Sequence, residues 1–214
     1  MKIRAVFLFF LLCGASVYAC RPMTTDDCGT VEKSKFELEV GYDAGNILID
    51  CLKQHSIGVS LKHGITESMD IGISFPYQII PAVDERLNSV TLAIKFGIVK
   101  DILAVSLGNT LGAGAFSINS ILSKDLDAVN VHLNIGYNSS GDQNIKGSLT
   151  YGIAVCYSIG SFEIDVESFG DEFCKNWLIG ARYELFKGYY FDAGYGRSFN
   201  NDNDRVTGGF HFEF

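Results

Sequence analysis

Glu163, Asp165 and Glu167 stand two residues apart in "FEIDVES" (162–168). In an extended chain this spacing puts all three carboxylates on one face, roughly 6.8 Å per step. Such a column can select cations if it lines a pore, pair with bases, or ligate a metal. The segment contains no histidine, so a metal site is not assigned and no cofactor is expected. Neighbouring segments of the same alternating kind add Arg182, Glu184 and Asp192, and more distant ones add Glu37, Glu39, Asp70 and Lys95. His132 and Asn134 also share a face, as a histidine and its polar orienter do in a serine hydrolase. The serine would have to come from another segment, with Ser117 and Ser148 the candidates. Such residues more often bridge a polar interior, and no catalytic role is assigned.

The elements that must hold these residues follow from a period of two. Phe36, Leu38, Val40 and Tyr42 oppose Glu37, Glu39 and Gly41, and Met69, Ile71, Ile73, Phe75 and Tyr77 oppose Asp70, Gly72 and Ser74. The alternation recurs at 56–63, 90–98, 103–111, 129–137, 145–158, 162–168, 177–185, 189–199 and 206–214, and weakly at 116–123. Twelve strands and no helix are predicted. Glycines crowd the polar face (Gly41, Gly58, Gly72, Gly152, Gly180, Gly194). Because glycine weakens a strand, a crowded barrel interior explains them better than a solvated surface. Aromatics gather at both ends of the apolar face, as two interfacial girdles would. Tyr42, Tyr77, Tyr137 and Phe199 mark one rim, and Phe36, Phe96, Tyr157, Phe162, Tyr189 and Phe214 the other.

"MKIRAVFLFFLLCGASVYA" has a basic start, a short apolar run and small residues before Cys20, the pattern of a secretory signal peptide over 1–19. The run is too short for a comfortable membrane-spanning helix. Tyr18 stands where a lipoprotein signal carries a small residue, which argues against lipid on Cys20. The expected fold is all-β, a transmembrane antiparallel up-and-down barrel of about 12 strands, of the bacterial outer-membrane type. Its barrel runs over 34–214, after a periplasmic lead segment or partial plug at 20–33. Links near 64–68, 99–102, 123–128, 158–161 and 186–188 read as short periplasmic turns. Those at 44–55, 78–89, 138–144, 169–176 and 200–205 read as longer outer loops, with the short "GAGA" (112–115) an exception. The lumen is then lined by Glu37, Glu39, Asp70, Lys95, His132, Asn134, Glu163, Asp165, Glu167, Arg182, Glu184 and Asp192.

Cys20, Cys28, Cys51, Cys156 and Cys174 follow the signal, and an oxidising compartment makes disulfides plausible. Cys51–Cys174 would join two outer loops; Cys28–Cys156 would pin the lead segment inside the barrel, with Cys20–Cys28 the alternative. With 17 basic against 25 acidic side chains and no basic cluster, nucleic acid is excluded as a partner. The expected partners are the lipid bilayer and lipopolysaccharide, small-molecule solutes, and the outer-membrane barrel assembly machinery, which would take the C-terminal strand ending at Phe214.

"RPMTTDDCGTVEKSKFELEVGYD" (21–43) resembles the opening of the MetA-pathway of phenol degradation family of outer-membrane proteins: an Arg-Pro, a Thr-containing acidic pair, a Gly, then a Glu-rich first strand. "GITESMDIGISFPY" (64–77), "SKDLDAVNVHLNIGYN" (123–138), "LIGARYEL" (178–185) and "FDAGYGRSF" (191–199) look like later strands and hairpins of that family. The chain departs from it at Cys28, at the short 112–115 connection and in its further cysteines. The resemblance implies a transporter-like barrel in a Gram-negative outer membrane, linked to phenolic compounds through gene context. Three functions are therefore weighed: a channel or transporter for small solutes, including hydrophobic or aromatic ones; a closed structural or surface-binding barrel; and an outer-membrane hydrolase.

Overall fold

The computed structural model describes residues 21–47, 52–81, 86–87, 89–142, 144–200 and 202–214. The signal segment 1–19, Cys20 and Cys51 lie outside the described residues. Twelve strands follow one another: β1 (Phe36–Ile47), β2 (Leu52–Thr66), β3 (Met69–Ile80), β4 (Thr91–Val99), β5 (Leu103–Thr110) and β6 (Ala115–Leu126), then β7 (Val129–Ser139), β8 (Ser148–Ile159), β9 (Phe162–Asp171), β10 (Lys175–Phe186), β11 (Tyr189–Ser198) and β12 (Asp204–Glu213). Each pairs antiparallel with its chain neighbours, and β1 pairs with β12, so the sheet closes into an up-and-down barrel. Among the described residues no helix is long and apolar enough to cross a membrane; the strands make the crossing. Closure leaves no unpaired edge, which hydrocarbon would not tolerate.

Alternation sorts each strand into two faces. Ile71, Leu92, Ile118, Leu133, Ile153, Val166 and Ile179 point outward and are exposed, an apolar belt that only lipid can cover. Aromatics bound the belt. Trp177 meets Tyr195 edge-on at the rim that carries the longer loops, with centroids 5.7 Å apart. At the opposite, tight-turn rim Phe162 packs on Tyr183 at 4.5 Å and Phe36 stacks on Phe214 at 5.8 Å. The Phe36 N–H donates to the Phe214 carbonyl (2.7 Å) and the Phe214 N–H to the Phe36 carbonyl (3.0 Å). The last residue is thus hydrogen-bonded into the β1–β12 seam with its ring on the lipid side.

The tight turns at 67–68, 127–128, 160–161 and 187–188 connect strands at one end. Asp127, Gly160 and Gly188 there adopt positive φ, as the shortest hairpin turns require, and Asp tolerates that region better than most residues. Two outer connections are shorter than the sequence suggested: β1 and β2 extend to 47 and from 52, and β9 is joined to β10 across 172–174. These strands run past the apolar belt, so their ends carry polar residues that break the alternation read from sequence. "FSINSILSK" is a full strand within β6.

Placing a cation on the belt tests its orientation. Ile153→Arg, opposite Leu133 at mid-strand, should destabilise the barrel by about 2–4 kcal/mol in denaturant titrations in lipid, and Ile98→Arg near the tight-turn rim by about 0–1 kcal/mol. Equal costs at the two positions would place the belt elsewhere.

Candidate functional site

Residues 21–33 form no strand, so their backbone polar groups need other partners. They find them on the lumen wall. The segment enters beside β2, where the Ser34 N–H donates to the Gly64 carbonyl (2.8 Å) and Lys33 bridges Gly64. The Val31 N–H donates to Asp70 Oδ2 on β3 (2.9 Å), and the Cys28 N–H to Ser123 Oγ on β6 (2.9 Å). Asn134 on β7 holds Asp26 from both sides: it accepts from the Asp26 N–H (2.9 Å) and donates to the Asp26 carbonyl (2.7 Å). Glu167 on β9 accepts from the Thr24 and Thr25 N–H groups at 2.8 and 2.7 Å, one per carboxylate oxygen.

The remaining contacts complete a circuit. Lys95 on β4 pairs with Asp26 at 3.0 Å. Cys28 packs on Ala104 of β5 and Ile121 of β6, and Met23 on Ala154 and Cys156 of β8. Pro22 lies over Gly180 of β10, where a Cβ would come within 2.4 Å of its ring. Arg21 pairs with Asp192 on β11 (3.5 Å) and Asp43 on β1 (3.7 Å), and donates to Thr207 on β12. Gly41 of β1 leaves room for that guanidinium, since a Cβ there would lie 2.0 Å from it. One short segment therefore touches all twelve strands.

The twelve lumen residues expected from sequence all stand on the inner face, but in separate groups. Glu37 holds the Lys62 ammonium, and Glu39 lies 3.2 Å from His211 Nδ1. Asp70, Lys95, Asn134, Glu167 and Asp192 hold residues 21–31, as above. Glu163 pairs with Arg182, whose guanidinium lies 5.4 Å over the Tyr190 ring. Glu184 lines a cavity at the tight-turn end. The acidic column does not face an open pore along its length: Asp165 is fully buried, across from Cys156, and Glu167 is covered by the segment it holds. His132 Nδ1 lies 2.8 Å from Ser123 Oγ, in the lumen, and Ser123 is engaged by the Cys28 N–H. Ser117 and Ser148, the serines weighed as partners for His132, both sit opposite Asn138 instead.

One of the expected cysteine pairings is corrected. Cys28 and Cys156 are free buried thiols in different clusters, so no Cys28–Cys156 bridge forms. Backbone and polar contacts hold the segment in its place. Cys20 and Cys51, the other expected bridge partners, fall outside the described residues.

Below the segment, at the tight-turn end, lies a cavity of about 410 Å³. Asp27, Glu37, Asp70, Glu163, Glu184 and Glu213 line it, against Lys62, Lys95 and Arg182. Carboxylates therefore exceed bases. Glu37, Glu39 and His211 bring ligand atoms within 4.8 Å of one another, close enough for a metal ion. The Lys62 ammonium on Glu37 already supplies positive charge at that point. Arg21, Thr24, Thr25 and Ser123 complete the site but were not singled out from sequence; Ile121 and Leu178, apolar and fully buried on the polar face, were the signal that something packs inside.

No family model matches the chain, and no curated protein does. Among solved structures, the KdgM porin superposes with TM-score 0.60 at 10% identity, covering 82% of this chain and 99% of that one. The NanC porin gives 0.62 at 12% identity, covering 83% and 98%. The outer membrane protein Omp33 of Acinetobacter baumannii gives 0.50 at 10% identity, covering 86% and 100%. At these identities the likeness is one of fold.

Burial pushes the Asp26 carboxyl from its ordinary 3.8 up to about 7, against the opposing pull of Lys95. A carboxyl raised by docking favours the docked segment when protonated. Its contribution is complete below pH 3.8 and is lost as pH rises through about 7. Amide exchange at Thr25 and Asp26, corrected for intrinsic rate, should therefore accelerate from pH 4 to pH 8, and Asp26→Asn should flatten the profile. A flat wild-type profile would show that Asp26 does not govern docking.

Proposed function

We propose that this chain is an outer-membrane channel for small solutes that favours cations, with residues 21–33 as its internal constriction. The observation that carries the reading is the carboxylate-rich cavity at one end of a closed twelve-stranded barrel, bounded above by that segment. Acidic lining concentrates cations and repels anions. In this reading the tight-turn end faces the periplasm, residues 1–19 direct export, and bilayer, lipopolysaccharide and the assembly machinery are the barrel's surroundings. The KdgM porin has been solved with a disordered oligogalacturonate; an acid-lined lumen argues against a polyanion here. Membership of the phenol-degradation family remains part of the proposal, supported by the quoted segments. The charged lining of the cavity favours polar over aromatic solutes.

The second reading, a closed barrel, is favoured by one observation: the segment is hydrogen-bonded at successive positions to β3, β6, β7 and β9. Single-channel recording of protein expressed with its own leader and extracted in neutral detergent separates the two. The channel reading expects discrete, cation-selective steps in a salt gradient. Conductance should rise at least twofold when Glu167→Ala and Asn134→Ala release the segment. Silence from both folded proteins would leave the closed barrel.

A further inference from the structure

The charges around the tight-turn cavity do not balance locally. Its cations are each engaged: Lys62 with Glu37, Lys95 with Asp26, Arg182 with Glu163. What is left over is anionic. Asp70 lines the cavity and is 1% exposed; its Oδ2 accepts from Val31, and its Oδ1 has no hydrogen-bond partner among the described residues. Leaving a buried carboxylate oxygen unpaired is costly unless a donor arrives. Far around the ring, Glu184 on β10 stands opposite Tyr190 on β11 in the register, and both line the same cavity. Glu213, half-exposed and beside His211, lines it too.

We propose that this cavity binds a short aliphatic polyamine, a chain with ammonium groups at both ends. One ammonium meets Asp70 beneath residues 27–31; the other meets Glu184 and Glu213, with the methylenes and charge lying along Tyr190. An ammonium brings three donors, enough for an unpaired carboxylate oxygen, and a cation is attracted to an aromatic face. The volume suits a small ligand. β3 and β10 lie five places apart in a ring of twelve strands spaced roughly 4.8 Å. A single metal ion cannot touch both walls, whereas an extended dication can. The site deepens the cation-channel reading and rests on it for the ligand's route.

Isothermal titration calorimetry with spermidine, on the detergent-extracted protein at fixed ionic strength, tests the site without needing a current. Saturable binding with one site per barrel is expected, weakened at least tenfold by Asp70→Asn with Glu184→Gln and unchanged by Glu172→Gln in the 172–174 loop. Heat-modifiable gel mobility reports folding; should the double variant fail it, Glu184→Gln alone is expected to weaken binding at least threefold. Absence of saturable heat, magnesium chloride binding as tightly as spermidine, or a folded variant with wild-type affinity would overturn the proposal. A barrel that binds spermidine yet never conducts would remove the channel and keep the site. A conducting barrel that binds none would do the reverse.

Discussion

Closing twelve strands in hydrocarbon satisfies every ladder hydrogen bond but leaves an interior too wide for wall side chains alone to fill. How that interior is occupied governs the rest of the structure. Here the occupant is residues 21–33, and its backbone N–H groups are matched by carboxylate, amide and hydroxyl side chains that would otherwise be buried without partners. The dependence is mutual. Buried polar groups are costly unless hydrogen-bonded, so the wall needs the segment as much as the segment needs the wall. Glu167 shows this most directly, with one oxygen for each of two successive amides.

This arrangement explains the composition. A barrel that spends one face on lipid and the other on a polar interior has a mean hydropathy of only +0.17, far from that of a helical membrane protein. Some glycines of the inner face mark places where the interior chain passes close to the wall, as at Gly41, Gly152 and Gly180, whereas others such as Gly108 make room for side chains of neighbouring strands. The free thiols of Cys28 and Cys156 act here as small apolar groups, each filling a pocket beside an alanine.

The twelve strands were legible because the lipid face repeats an apolar residue at every second position over most of their length, as lipid contact demands. β6 was weakest for a physical reason: Ser120 points out while Ile121 points in to meet Cys28, so the phase blurs where the segment packs. The inner-face positions of Glu163, Arg182 and Asp192 followed from parity. Their partners did not. Thr24 and Glu167 are 143 residues apart, and Arg21 and Thr207 are 186 apart; no local period reports such pairs. The serine beside His132 was missed likewise, since Ser123 reaches it only through the β6–β7 register.

The contacts of Arg21 bear on how the cylinder is held shut. Its guanidinium reaches Asp43 on the first strand and Thr207 on the last, so it spans the junction where the cylinder is sealed. The interior segment is thereby a third partner in the β1–β12 junction, and losing Arg21 would weaken the seam from within. The wall encloses the segment, and the segment in turn clasps the wall where its two ends meet.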